Sequence, residues 1–391
     1  SVLFGEATAW YAELLRLSGR GTESPALVAE ALVIADETVE REAGNLGALR
    51  SRVLLRTRVA QDTLDAFDSA RAEAEGRRLI ADYTEFLRFD PDNDTARNNR
   101  RAARIFLSEA LWRQGRLDET IALNKESARE GLTFNSSPSA TVSAAFASAR
   151  VDNLEAALGR VTDFDAALAD GDRLRAKASA QAGAESFFQQ ILPLWNQGAR
   201  ADLKLASGQA AAALNSVQTM EAKLAGLSPK SGSERTVFRE MRQENLRLKT
   251  EAGLTLKQWA VAGVAGRELL AGRPDAEDNT PGALDRLASD RALVALALAR
   301  AGERGEARKV RGEAKAYFDR VRAAGANDHA TRFEIARLNL VDGLLGEAAT
   351  ARRAAFAAGL AEIAAMPAQP KELRWVKELK ATLEQESAAV K

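Results

Sequence analysis

Few residues in this chain have the types and spacing that chemistry requires. His329 is the only histidine among 391 residues, and there is no cysteine. It stands in Gly325-Ala326-Asn327-Asp328-His329, just ahead of a helical stretch. As an acid–base group it would need a partner. As a zinc ligand it would have to rely mostly on carboxylates, an improbable set for that metal. We therefore read it as a helix-start residue near solvent. A Ser-His-Asp triad would have to use His329, and no Gly-x-Ser-x-Gly segment exists. No Walker-type or Gly-x-Gly-x-x-Gly phosphate loop is present. The sequence thus assigns no catalytic residue, no cofactor and no metal, and is read as a non-enzyme. The densest basic cluster is Arg97-Asn98-Asn99-Arg100-Arg101 with Arg104. Such a cluster can hold a phosphate or an acidic peptide if its geometry allows bidentate contacts. The alternative is a solvated helix face balanced by Asp90, Asp92 and Asp94. Trp112-Arg113 sets a large aromatic beside a guanidinium, a pairing frequent where binding energy concentrates. The competing role for Trp112 is packing against a neighbouring helix pair. Trp10, Trp195, Trp259 and Trp375 are read as core or cap residues.

The elements that must position these residues read as helices. About a fifth of the residues are Ala, the strongest helix former. Nearly every window has helical period, and sustained strand alternation is missing. Aromatic residues make up only 6%, so the core must be built in thin Ala/Leu layers. Lys+Arg and Asp+Glu balance at 55 each, which argues against a general nucleic-acid binder. The longest apolar runs, Ala292–Ala299 and Trp259–Gly266, fall far short of the roughly 20 residues that span a bilayer, so no membrane insertion is expected. Residue 1 is Ser, from which we expect numbering that begins inside a longer product or after processing. Ser24-Pro25 opens a helix to about Glu42, Asp90-Pro91-Asp92-Asn93 closes another, and Ser137-Pro138 and Thr280-Pro281 look like caps followed by a first-turn Pro. Pro193 should kink a helix or separate two. Loops are expected over Gly131–Ser137, Gly226–Glu234, Gly272–Gly282 and Met366–Lys371.

An internal repeat is the informative feature. In the unit from Arg101 to Leu132, Leu107, Ser108 and Leu111 form a large-small-large trio, Gly115 makes a turn, and Thr120 and Ser127 are small. The unit resembles the tetratricopeptide repeat, a helix-turn-helix of about 34 residues whose eighth, twentieth and twenty-seventh positions are small because helices cross there. From Ala288 the same phase gives Ala295, Gly302, Ala307 and Ala314; from His329 it gives Ala336, Gly343, Ala348 and Ala355. Ala201–Leu227 has a turn at Gly208 but slips phase by one, and Leu246–Pro274 needs the large Leu269 at a crossing. The fold class expected is all-α: a right-handed α-solenoid of antiparallel helix pairs forming one elongated domain over 1–391. Its best repeats are 101–134, 288–321 and 329–366, and degenerate ones fill 136–283.

The resemblance implies a concave groove lined by first helices. Carried over, the groove positions of the best unit are Ala102, Ile105, Glu109, Trp112 and Arg113. The family's carboxylate-clamp members use Lys and Asn where this chain has Ile105 and Glu109, which argues against that mode. Later units contribute Arg300, Phe333 and Arg337. Arg104, Glu109, Trp112, Arg113, Arg300, Phe333 and Arg337 are thus the candidate partner-binding residues. The resemblance implies a protein-interaction scaffold holding a peptide or partner domain, as in the repeat region of a bacterial regulatory or signalling protein in the cytoplasm, or alternatively the periplasm. The alternative function is small-molecule sensing, whose mark would be a closed, aromatic-lined cavity with convergent polar groups. Homo-oligomer formation through an exposed helical end is left open.

Overall fold

The structure, a computed structural model, describes residues 2–18, 20, 23–42, 44–133, 137–181, 187–272 and 281–390. Every element among the described residues is helical. The helices are α1 (Val2–Leu17), α2 (Ser24–Arg41), α3 (Leu46–Asp65), α4 (Ser69–Phe89), α5 (Asp94–Arg113), α6 (Leu117–Thr133), α7 (Pro138–Ala157), α8 (Phe164–Gln181) and α9 (Phe187–Ala206). They continue with α10 (Ala210–Leu224), α11 (Gly232–Thr255), α12 (Trp259–Ala271), α13 (Pro281–Arg300), α14 (Arg304–Ala323), α15 (His329–Leu345), α16 (Ala349–Ala364), α17 (Ala368–Lys371) and α18 (Arg374–Ala389). From α1 to α16 each packs on the next in sequence, as in an α-solenoid, and α16 then packs on α18.

Short polar side chains start many of these helices. Asn45, Asp68, Asn93, Ser137 and Asp328 each accept a hydrogen bond from the N–H three residues on, and Ser231 with Glu234 closes a capping box. The expected cap and first-turn Pro at Ser137-Pro138 are in place. Thr280, and the loops over 134–136 and 273–280, lie outside the described residues. α9 runs through Pro193 as one helix.

One turn geometry recurs within the helix pairs. Residues 67, 115, 159, 208, 257 and 302 sit between α3/α4, α5/α6, α7/α8, α9/α10, α11/α12 and α13/α14, with φ from +58° to +83°. Each N–H bonds the carbonyl three residues back, and the next N–H reaches the carbonyl five back, as in Gly115 to Trp112 (2.8 Å) and Arg116 to Leu111 (2.9 Å). Four of the six are glycines; Phe67 and Lys257 adopt the same left-handed conformation at a steric cost. These turns are 44 to 49 residues apart, longer than the roughly 34-residue unit that the sequence resembles. The matched segment is the half of each pair nearest the turn: α5 already begins at Asp94, upstream of Arg101.

Small residues sit where helices cross. Ser108, Thr120, Ser127, Ala295, Ala307, Ala314 and Ala336 are all fully buried, whereas in the last unit Ala348 is exposed at the start of α16 and Ala355 is half-buried. Gly343 differs from expectation. It lies inside α15, where a Cβ would collide with the ring of Phe356 on α16, and the chain turns three residues later at Gly346. The glycine there makes room for a large side chain.

The solenoid winds back onto itself. Phe67 packs with Leu284, Val321 and Ala326. Gln369 accepts from the Leu117 N–H at 2.6 Å across 252 residues of chain, and Pro367 and Pro370 press on Gly115. Arg374, at the start of α18, donates to the Ser207 carbonyl at 2.9 Å. The turns at Phe67, Gly115 and Gly208 thus rest on later helices of the chain.

Candidate functional site

This winding forms a half-open cavity of about 1030 Å³. Its walls are chiefly first helices of the pairs, α5, α7, α9, α11, α13 and α15, with α18 closing one end. First helices face inward because the small residues at their crossings hold the second helices outside.

On α5, Trp112 reaches the cavity and meets His329 edge-on, with ring centroids 4.3 Å apart. Arg150 of α7 lies over the Trp112 ring at 5.4 Å and donates to Glu109 at 2.7 Å. Burial pushes the Glu109 carboxyl up, but Arg150 and Arg113 outweigh it and hold the group below its ordinary range. Two more arginines repeat the arrangement. Arg337 lies 4.8 Å from the Phe333 ring and donates to Glu334 at 2.8 Å. Arg300 lies 5.6 Å from the Trp259 ring and pairs with Glu386 of α18 at 2.6 Å. Arg150, Arg300 and Arg337 therefore each have an aromatic face and a carboxylate already.

The middle of the cavity holds a denser charge cluster. Arg247 of α11 lies 3.7 Å from Glu251, and Arg337 lies 3.9 Å from the same carboxylate. Glu251 foremost, with Glu244 and Glu334 adding, raises the Arg247 guanidinium further above its usual value despite burial. Asp202 of α9 is pushed up to about 7, first by burial and then by Glu244 and Glu251. Glu334 is also pushed up to about 7, by burial foremost, against the pull of Arg337 and Arg247. Asp285 of α13 rises to about 6 through burial and Asp328.

His329 is not near solvent. It opens α15 behind the Asp328 cap but is only 2% exposed, because the winding lays α5 against it. Burial lowers its pKa most strongly, so the ring is neutral near pH 7. The Arg113 backbone is the nearest hydrogen-bonding group, neither ring nitrogen has a side-chain partner among the described residues, and the ring lines the cavity.

Of the residues expected from the sequence, Trp112, Arg300, Phe333 and Arg337 line this cavity. Glu109 stands one layer back, joined to it through Arg150. Arg113 points away. It donates to the Leu64 carbonyl and stacks on Phe67 at 4.7 Å, clamping the α3/α4 turn. Arg104 is on the α6 side, bound to Glu130 at 2.6 Å and Glu126 at 2.7 Å. In the rest of its basic cluster, Arg100 pairs with Glu130 and Arg97 with Asp92 and Asp94, while Arg101 is buried. Trp259 and Trp375, read as core or cap, line the cavity too. The sequence reading missed Asp202, Glu244, Arg247, Glu251 and Asp285, and set His329 aside as a helix-start residue near solvent. One signal was available: Glu244, Arg247 and Glu251, spaced three and four apart, share a helix face.

No known family's sequence profile matches the chain, and no curated protein matches it in sequence. Among solved structures, the crystal structure of the tetratricopeptide-repeat domain of P58(IPK) aligns over 97% of this chain and 98% of its own, with 14% identity and a TM-score of 0.22. The all-α repeat architecture rests on the helix packing described above.

Proposed function

We propose that this chain is a non-catalytic binding module, a helical-repeat scaffold for protein–protein interaction that receives a short segment of a partner in its interior cavity. The observation that carries the reading is the cavity wall. Trp112, Phe333, Trp259 and Trp375 offer apolar faces beside fixed charges, the composition of an interface centre. Among the described residues, no helix is long and apolar enough to cross a membrane, and no cluster of His, Cys, Asp or Glu is suited to a metal. A regulatory or signalling role in a bacterial cytoplasm belongs to the same reading and is supported by composition alone.

A photo-crosslinking amino acid at Phe333 or Trp375, compared with one at outward-facing Val33, tests it. Capture of the same partner from both cavity positions and not from Val33, lost in Phe333→Ala at unchanged melting temperature, is the expected result. Capture at Val33 alone refutes it. A second reading, small-molecule sensing, is favoured by one observation: α18 closes an end of the groove, leaving a volume near the upper end of small-ligand pockets, about 300–1,000 Å³. Under that reading, none of the three positions captures a protein.

A further inference from the structure

Carboxylates crowd the middle of the cavity, and that crowding bears on what it binds. Around its middle stand five carboxylates, Asp202, Glu244, Glu251, Asp285 and Glu334. Glu251 and Glu334 pair with the guanidiniums Arg247 and Arg337, Asp285 is faced by Arg113 and Arg286, and Arg150 is taken up by Glu109. The carboxylates come from four helices, so their gathering is produced by tertiary packing rather than by one acidic run. A second observation is independent of them. The His329 imidazole is buried and opens onto the same cavity, with the Arg113 backbone as its nearest hydrogen-bonding group and no side-chain partner for either nitrogen among the described residues. A neutral imidazole has one lone pair to offer, and that lone pair accepts from an N–H donor. Trp112, against the imidazole, adds an aromatic face, which attracts a cation or packs on an apolar body.

We propose that the middle of this cavity is a recognition pocket for an organic cation, a guanidinium or ammonium group carried on an apolar body. The proposal rests on the reading of the cavity as the binding site and adds the chemistry of what enters it. The same group reaches the pocket either as an Arg or Lys side chain of a partner segment or as a free amine. The elevated carboxyls agree with it. Asp202, faced by Glu244, Glu251 and Arg247 and bonded to Asn153, holds a proton near neutrality. So does Glu334, faced by Arg337, Arg247, Glu251 and Asp285. An arriving cation takes the place of those protons and releases them to solvent.

Calorimetry on the full chain at about pH 6.5 tests this with three probes of one shape: benzamidine (cationic), benzamide (neutral) and benzoate (anionic). Benzamidine should bind at least tenfold more tightly than either isostere. Its heat should change with the ionisation enthalpy of the buffer, reporting proton release. Asp202→Asn and Glu334→Gln should each weaken it about tenfold or more with melting temperature retained, while Arg104→Ala, outside the cavity, leaves it unchanged. A blocked Phe-Arg dipeptide amide and its citrulline counterpart separate the two sources. Tighter binding by the Arg dipeptide than by benzamidine identifies a partner's side chain, and the reverse identifies a free amine. Equal binding of benzamide or benzoate, or normal benzamidine binding by both carboxylate variants, overturns the cation assignment and leaves the cavity reading standing. Binding by none of the five probes also overturns the assignment, and the crosslinking at Phe333 and Trp375 then decides the cavity reading by itself.

Discussion

Helices α5 and α15 are both first helices, each carries an aromatic and an arginine at inward positions of its repeat, and they touch each other at Trp112 and His329. Their arginines nevertheless do different work. Arg337 is in the middle of α15 and points into the cavity beside Phe333. Arg113 is the last residue of α5, where the helix meets the preceding pair, and it clamps the Leu64 carbonyl instead. Their crossings differ as well. α5 meets α6 through the small pair Ser108 and Thr120, whose hydroxyl reaches the Ser108 carbonyl at 3.3 Å. α15 meets α16 through a glycine opposite a phenylalanine ring. A shared register therefore fixes which face a helix buries, while the position along the helix decides what its polar groups find.

Four experiments bear on this contrast. The largest effect is expected at the α15 crossing. Phe356 is fully buried, and Phe356→Ala should cost about 3–5 kcal/mol in denaturant unfolding. A loss no larger than that of an exposed-site variant would show that α15 and α16 are not locked there. Arg113→Ala comes next. It removes a largely buried charged donor from the Leu64 carbonyl, a change worth about 1.5–3 kcal/mol, and should leave benzamidine binding intact. Arg337→Ala should instead alter the binding. Loss of binding in Arg113→Ala at unchanged stability would reverse the assignment.

The third experiment is a pH series. Asp202 and Glu334 titrate near 7 and Asp285 near 6 when folded, all above the ordinary carboxyl value of about 4. The folded state then binds more protons than the unfolded state between about pH 4 and 7, so these groups' stabilising contribution is lost as pH rises through that window. The melting temperature should be higher at about pH 5 than at about pH 7.5, and Asp202→Asn should flatten the slope. An unchanged slope in that variant would remove Asp202 from the cluster. The smallest effect is expected from Arg97→Ala, at the outer start of α5. Its partners Asp92 and Asp94 are exposed, so stability should move by no more than about 0.5 kcal/mol and benzamidine binding not at all. A change in that binding would bring the basic cluster back into the site.

Some of this organisation is written locally. Ser137-Pro138 marks a helix start, and Gly115, Gly208 and Gly302 mark turns, because a cap or a left-handed residue acts within one helical turn. Phe67 and Lys257 make the same turn without a glycine, and no residue type announces them. Glycine was also misleading at Gly343, since a residue without a side chain serves a close approach as well as a turn. The inward faces of Trp112, Phe333 and Arg337 followed from register. The partners of Arg104 and Arg113 did not, because a long flexible cation takes whichever acceptor the packing brings near.

The sequence by itself determined the all-α class, the stacking of helix pairs and the small residues at their crossings, because these depend on periodicity and side-chain volume over a few turns. Only the tertiary structure decided that the windings meet. It buried His329 against Trp112, laid Pro367 and Pro370 on Gly115, and gathered Asp202, Glu251, Asp285 and Glu334 around one cavity. The physical reason is accumulation: each pair adds a small rotation to the last, and their sum over many pairs sets the long-range contacts while leaving no mark on any single segment.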